Sequence, residues 1–389
     1  MNKKNINTYL QKNKCTLLAI GPMSLNCVDA AIDLASEYSV PLILIASRRQ
    51  IDAEAFNGGY VNNWTTGKFA NYVRAKDKSK NIILARDHGG PWQNDMEKKQ
   101  KVNLDTAMNL AKESYKADID SGFQILHIDT SIDINGKPSK NDVMQRLFEL
   151  YEYCWSYARE NGKKIIFEVG TEEQSGTTNS LEDLNENLAS IKKFCNQKNI
   201  PSPAFVVVQT GTRVMETRNV GSFDSPLRIF EELPAEIQVP KVIEICRKHN
   251  VLIKEHNTDY LTDMALSWHP RLGIHAANVA PEFGVTETRE LLKIMEDNGL
   301  TILAKKFLEL AYNSKKWDKW MLPNSAASDR DKGIIAGHYI FSTPECIELK
   351  KEVSQNIKHK GINLDIYLRE KVKKSILRYL LNFRVVRTI

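Results

Sequence analysis

Short apolar runs rich in Val, Ile and Leu recur along the chain, each followed by a polar turn and a stretch with helical spacing. Eight stand out: Cys15–Gly21, Pro41–Ser47, Asn81–His88, Phe123–Ser131, Lys164–Gly170, Ala204–Gly211, Val251–Asn257 and Arg271–Asn278. Segments such as LILIA, IILA, IIF and FVVV are apolar at successive positions rather than at alternate ones. That pattern predicts parallel strands covered on both faces. Most runs begin about 40 residues apart, enough for one helix and two loops, and the first and last intervals are shorter. Between runs, Asp142–Asn161 places Val143, Leu147, Leu150, Tyr151, Cys154 and Tyr157 on one helical face. Eight alternating βα units predict an α/β fold of the closed (β/α)8 type, a TIM barrel. A doubly wound open sheet is the alternative, but no run is followed by the G-x-G-x-x-G turn of a dinucleotide site.

The rhythm changes near residue 310. Trp317, Trp320, a turn over Pro323–Ser328 and the string His338-Tyr339-Ile340-Phe341 precede an amphipathic stretch over Asn363–Leu381. There Leu364, Leu368, Val372, Ile376 and Leu380 recur every four residues. The expected organisation is a catalytic barrel over residues 1–310 and a C-terminal helical extension over 311–389. The N-terminus shows only a Lys/Asn bias.

Composition narrows the class. The 389 residues are 42% hydrophobic and 26% charged with 19 Gly and 13 Pro, which excludes collagen-like, disordered and disulfide-scaffold chains. Six scattered cysteines form no metal knuckle or disulfide pattern and read as reduced thiols. With no apolar span and no apolar segment after Met1, the expected location is the cytoplasm, with no membrane contact. The net charge of +6 is uneven, since residues 350–389 hold eleven Lys/Arg against three Asp/Glu. A solvated basic helix face accounts for that surplus, and no nucleic-acid partner is expected.

Barrel enzymes carry their chemistry at the C-terminal ends of strands, and these ends are loaded with polar groups. The runs finish in Ser47-Arg48-Arg49, Arg86-Asp87-His88-Gly89, His127-Ile128-Asp129, Glu168-Val169-Gly170-Thr171-Glu172, Gln209-Thr210-Gly211, Glu255-His256-Asn257-Thr258-Asp259 and His275-Ala276-Ala277-Asn278. Burying an unpaired charge is costly, so so many at one end of a barrel point to a site. His88, Glu168 and His256 form the expected metal set, two imidazoles and a carboxylate that leave a position open for substrate. His127 is open between ligand, supporting group and core residue, and Gln209 is a weaker ligand candidate. His249, His269 and His359 read as surface residues, while His275 and His338 stay open. Asp87 precedes His88, so on a regular strand it would point away from the axis; it either bends over the substrate as general acid/base or orients a neighbour. Asp129 and Asp259 are further acid/base candidates, and Glu172 and Glu173 read as a solvated loop. Asn257 and Asn278, after the last two strands, suit a phosphate, and Ser47, Arg48 and Arg49 suit a second anion. Gly59, in the loop Phe56–Tyr60, belongs to a lid, a substrate-contacting turn or an ordinary surface turn.

These same residues carry a resemblance. Asn57-Gly58-Gly59-Tyr60, Asp87-His88-Gly89-Gly90-Pro91, His127-Ile128-Asp129-Thr130-Ser131, Glu168-Val169-Gly170-Thr171-Glu172 and Glu255-His256-Asn257-Thr258-Asp259-Tyr260 occur in an order and spacing that resemble the Z-type subunit family of class II tagatose-1,6-bisphosphate aldolases. More remotely they resemble the metal-dependent class II fructose-bisphosphate aldolases. The likeness covers roughly residues 15–310, and Trp317–Phe341 also looks like that family's C-terminal region. It implies a barrel, one divalent metal (Zn2+ first, with Mn2+, Mg2+, Co2+ or Ni2+ also suitable) and a ketose phosphate cleaved or formed at C3–C4. It also implies that Asp87 acts on the substrate hydroxyl and that His88 and His256 bind the metal. One departure matters: where catalytic relatives carry a further metal His after the sixth strand, this chain has Gln209-Thr210-Gly211-Thr212-Arg213. The alternatives are a C4-epimerase using the same metal site and a non-catalytic accessory subunit. The expected partners are a ketose phosphate together with further copies of this chain or a second aldolase subunit.

Overall fold

The computed structural model describes residues 3–170, 180–223 and 234–387. Eight parallel strands close into a barrel: β1 (Leu17–Ile20), β2 (Leu42–Ser47), β3 (Ile82–Gly89), β4 (Ile125–Asp129), β5 (Ile166–Gly170), β6 (Phe205–Val208), β9 (Leu252–Glu255) and β10 (Ala276–Val279). Two short antiparallel strands, β7 (Val214–Met215) and β8 (Arg218–Asn219), form a hairpin after β6. The barrel closes where Leu17 pairs with Ala276 and Ile20 with Val279. Helices alternate with the strands, so the fold is a (β/α)8 TIM barrel followed by C-terminal helices. The strand residues of β1 are all fully buried, as continuous apolar runs require.

Each predicted run overlaps one barrel strand, but the last is displaced. Arg271 and Leu272 end the helix Asp263–Leu272, which Gly273 terminates at φ 92°, a conformation that suits glycine. Only then does β10 begin. The Lys/Asn-biased start is also more than a biased segment: Lys3–Asn13 is a helix whose Ile6 and Leu10, one turn apart, are buried against the core. Its composition hides a two-residue apolar face. Among the described residues, no helix is long and apolar enough to cross a membrane.

The basic C-terminal helix, Leu364–Asn382, spends its charges inside the molecule. Arg369 faces Asp29 and Asp33, Lys371 meets Glu290, Lys373 meets Glu37, and Arg378 meets Asp263 and Glu282. Its Val372, Ile376 and Leu380 join the core of the barrel, whereas Leu364 and Leu368 join a second apolar cluster with Phe307, Leu349 and Val353. This helix therefore bridges the two cores.

Between strands and helices, Arg86 is fully enclosed and bonds both oxygens of Asp118, at 2.6 and 2.8 Å. It also donates to the carbonyls of Ala46 and Ile51, tying β3 to the loop after β2. Removing one partner of a buried ion pair strands the other charge. Asp118→Ala is therefore expected to lower stability by about 3–5 kcal/mol, read from urea unfolding; a loss within experimental error would refute this role.

Candidate active site

The site begins with a break in β3. Arg86 points outward to Asp118, so alternation turns Asp87 inward, the reverse of the orientation expected from its place before His88. The next residue should point outward again, but the ladder to β4 shifts between Arg86 and Gly89, and His88 takes φ 44°. This bulge brings a second consecutive side chain to the barrel mouth. Gly90 follows with its Cα against the Asp129 carbonyl, where an added Cβ would lie 2.0 Å away.

Four side chains converge, three from β3, β4 and β5 and one from the residue that follows β9. Asp87, His127, Glu168 and His256 each offer one ligand atom, all within 4.8 Å of one another. Glu168 Oε1 lies 3.1 Å from His256 Nε2 and 3.7 Å from His127 Nδ1. Asp87 Oδ1 lies 3.8 Å from His127 Nδ1, and Asn278 donates to it at 3.1 Å. His127 Nε2 is buried without a partner among the described residues and faces Gly170, where a Cβ would sit 2.6 Å from it. The glycine leaves room for this ring, whose Nδ1 edge faces the cluster.

Glu168 is completely buried, and its second oxygen accepts from Lys254 Nζ at 2.6 Å. Lys254 stands two residues before His256 on β9, so both side chains point into the barrel. Sequence reading passed over it. The signal was present: a lysine within a buried strand, in step with a candidate ligand.

Protonation states favour a cation. Burial alone would raise the Glu168 carboxyl, but Lys254, then His127 and His256, hold it down at about 2. Against the same burial effect, His88, His127 and His256 hold the Asp87 carboxyl well below its usual range. Burial pushes the His256 imidazole down to about 4, keeping it neutral. Two ionised carboxylates and two imidazoles are a donor set that fits a divalent metal.

His88, expected among the ligands, sits beside the cluster. Its Nδ1 is held by Asp129 at 2.6 Å, while Nε2 lies 4.0 Å from Asp87 Oδ2. Asp129 also accepts from Gln93 and Ser131, so it orients His88. Burial works against charging His88, but Asp87 and Asp129 raise its pKa to about 9.

A cavity of about 250 Å³ opens above the cluster, with Asp87, His88 and His256 in its wall. Ser47, Asn257, Asp259 and Asn278 also reach it. Arg48 does not serve it: its guanidinium is buried against Asp52, Glu97 and the Gly90 carbonyl. Arg49 lines the cavity instead. Gly59 lines a neighbouring cavity, and its Cα packs against the Gln50 backbone, leaving no room for a side chain. Asp259 accepts from the backbone N–H groups of Ala280 and Glu282, both at 2.9 Å, and so takes up donors expected for a phosphate. Burial, then the nearby Glu282, pushes its carboxyl up to about 8. Unforeseen from sequence are Lys319, Trp320 and Tyr339, which bring the C-terminal region over the mouth.

Two other histidines differ from their sequence reading or resolve it. His269 is fully buried, not at the surface, and bonds Glu255 at 2.6 Å behind β9. His338 is buried beside Tyr339, with ring centroids 4.1 Å apart. Glu172 and Glu173 lie outside the described residues.

The fold and site thus define a barrel protein with a metal-competent carboxylate–imidazole cluster at its C-terminal mouth. The chain belongs to the D-tagatose-1,6-bisphosphate aldolase subunit GatZ/KbaZ-like family, whose model matches residues 3–293. No curated protein matches it significantly. Among solved structures it resembles a probable tagatose 6 phosphate kinase from Sinorhizobium meliloti, with TM-score 0.75, 18% identity and coverage of 95% of this chain and 100% of that one. It also resembles a fructuronate-tagaturonate epimerase from Cohnella laeviribosi (TM-score 0.54, 11% identity, 97% of this chain and 85% of that one). A fructose-bisphosphate aldolase from Campylobacter jejuni follows at TM-score 0.50 and 11% identity, over 89% of this chain and 92% of that one. At these identities the structures share the fold.

Without an ion, Lys254 is the nearest full positive charge to Glu168. Lys254→Met is expected to destabilise the chelator-treated protein by about 3–5 kcal/mol, measured by urea unfolding. An unchanged midpoint would show that the pair is not holding Glu168.

Proposed function

We propose that the protein is a metal-dependent class II aldolase-like enzyme that cleaves or forms the C3–C4 bond of a phosphorylated ketose of the tagatose or fructose type. The convergence of Asp87, His127, Glu168 and His256 at the foot of an open cavity carries this reading. Glu168 and His256, with His127 beside Glu168 on the neighbouring strand, would hold one divalent ion, Zn2+ being the first choice for imidazole and carboxylate donors. Such an ion supplies Lewis acidity to a ketose carbonyl and its adjacent oxygen.

The remaining steps belong to side chains. Asp87, ionised and in the cavity wall, takes the C4 hydroxyl proton as the C3–C4 bond breaks, leaving an aldehyde and an enediolate. Asp259, near-neutral and facing the same cavity, returns a proton to the enediolate carbon. His88, oriented by Asp129, donates to a substrate oxygen. Ser47, Asn257 and Asn278 position the sugar. Rotation of the aldehyde before re-addition gives C4 epimerisation from the same residues. In this reading residues 1–310 are the catalytic barrel and 311–389 its helical extension. The family's description as an aldolase subunit supports a second reading, an accessory chain that acts with a catalytic partner.

NMR of the metal-supplemented chain with ketose mono- and bisphosphates separates these readings. Triose phosphate identifies an aldolase, a new ketose without triose identifies an epimerase, and turnover only with a partner chain identifies the accessory role. Asp87→Asn is expected to lower turnover about 100- to 10,000-fold, and wild-type turnover is expected to require one equivalent of divalent metal. Because Asp259 must be protonated to act as acid, kcat is expected to fall as pH rises through about 8, and this limb should vanish in Asp259→Asn. A limb that persists in that variant would assign it elsewhere.

A further inference from the structure

A second cavity of about 450 Å³ adjoins the first, between the loop after β2 and the segment 315–319. Arg49, Tyr60, Lys319 and Tyr339 line both cavities and so stand where they meet. The charge there is unbalanced. Asp95 is shared, with Arg49 Nε at 2.8 Å and Lys316 Nζ at 3.4 Å. Among the described residues, Arg49 has no other carboxylate within ion-pair distance. Lys319 has no carboxylate within ion-pair distance among those residues; its ammonium lies over the rings of Trp320, at 4.6 Å, and Tyr339, at 5.6 Å. Tyr60 packs against Tyr339 with centroids 4.8 Å apart and the rings tilted by 51°, so aromatic side chains wall the junction.

We propose that Arg49 and Lys319 seat the terminal anionic group, a phosphate or a carboxylate, of a sugar whose reacting carbons lie at Asp87 and His256. The inference rests on the proposed function and adds the anchoring of the far end of the substrate. A guanidinium presents a fork that matches two oxyanion atoms, and a flexible ammonium can meet the third side. Arg48, by contrast, has Asp52 and Glu97 as its anions. The seat joins a barrel residue to one beyond residue 310, so the C-terminal region contributes a binding group.

The test uses the full chain treated with chelator, titrated calorimetrically with inorganic phosphate and separately with acetate, at constant ionic strength set by chloride. Saturable binding is expected for at least one probe, with Arg49→Met and Lys319→Met each weakening it about 10-fold or more. Phosphate selectivity would identify a phosphorylated substrate, and acetate binding a sugar acid. Lys305→Met, which removes an exposed remote charge, should leave affinity within about twofold. Asp87→Asn should also retain anion binding, so loss of catalysis and loss of the seat are read separately. No saturable binding in wild type, or wild-type affinity in both Met variants, overturns the proposal. Should Arg49→Met fail to fold by circular dichroism, Lys319→Met, on an exposed side chain, decides the matter.

Discussion

The site depends on a carboxylate in the middle of the barrel. Glu168 has no solvent, and an unpaired charge in that position would cost more than most single interactions return. Lys254 answers one oxygen and His256 the other, with His127 close by. That pairing explains why a lysine occupies a buried strand. It also explains why Glu168 is held ionised at neutral pH, the state that a cation requires.

Around this centre the layers divide the work. Inward residues of β3, β4 and β5 and the residue after β9 build the cluster, while outward polar residues brace the strands from behind. Arg86 with Asp118 fixes β3, and Glu255 with His269, Thr210 and Thr258 fixes β9 and its neighbouring loops. Thr212 also donates to the His256 carbonyl, tying the loop after β6 to the base of the site. The C-terminal helices then place Lys319, Trp320 and Tyr339 over the mouth. Their attachment comes from the bridging helix Leu364–Asn382, whose basic face meets acidic groups on the barrel helices.

Much of this was legible along the chain. Continuous apolar runs specify parallel strands buried on both faces, and their number specifies closure. Polar clusters at run ends mark the rim of the barrel, and Asp87, Glu168, His256, Asn257 and Asn278, all at such ends, lie in the cluster or the cavity wall. The fourfold spacing of Leu364, Leu368, Val372, Ile376 and Leu380 likewise specifies a helix, found at Leu364–Asn382.

Direction and partnership were decided in three dimensions. Alternation from the outward Arg86 turns Asp87 inward, a bulge of one residue in β3 then brings His88 to Asp129, and no local spacing encodes that register shift. Arg48 and Arg49 are adjacent and chemically identical, yet one is buried by Asp52 and Glu97 while the other faces the cavity. His127 joins the cluster only because β4 lies beside β5, and Lys319 reaches the cavity from nearly two hundred residues farther along. The sequence determined the periodicity, the strand count and the kinds of chemistry available at the rim, because these follow from burial and backbone geometry within each segment. Only the tertiary structure decided which charges meet, because pairing between distant strands is set by closure, register and competition for counter-charges.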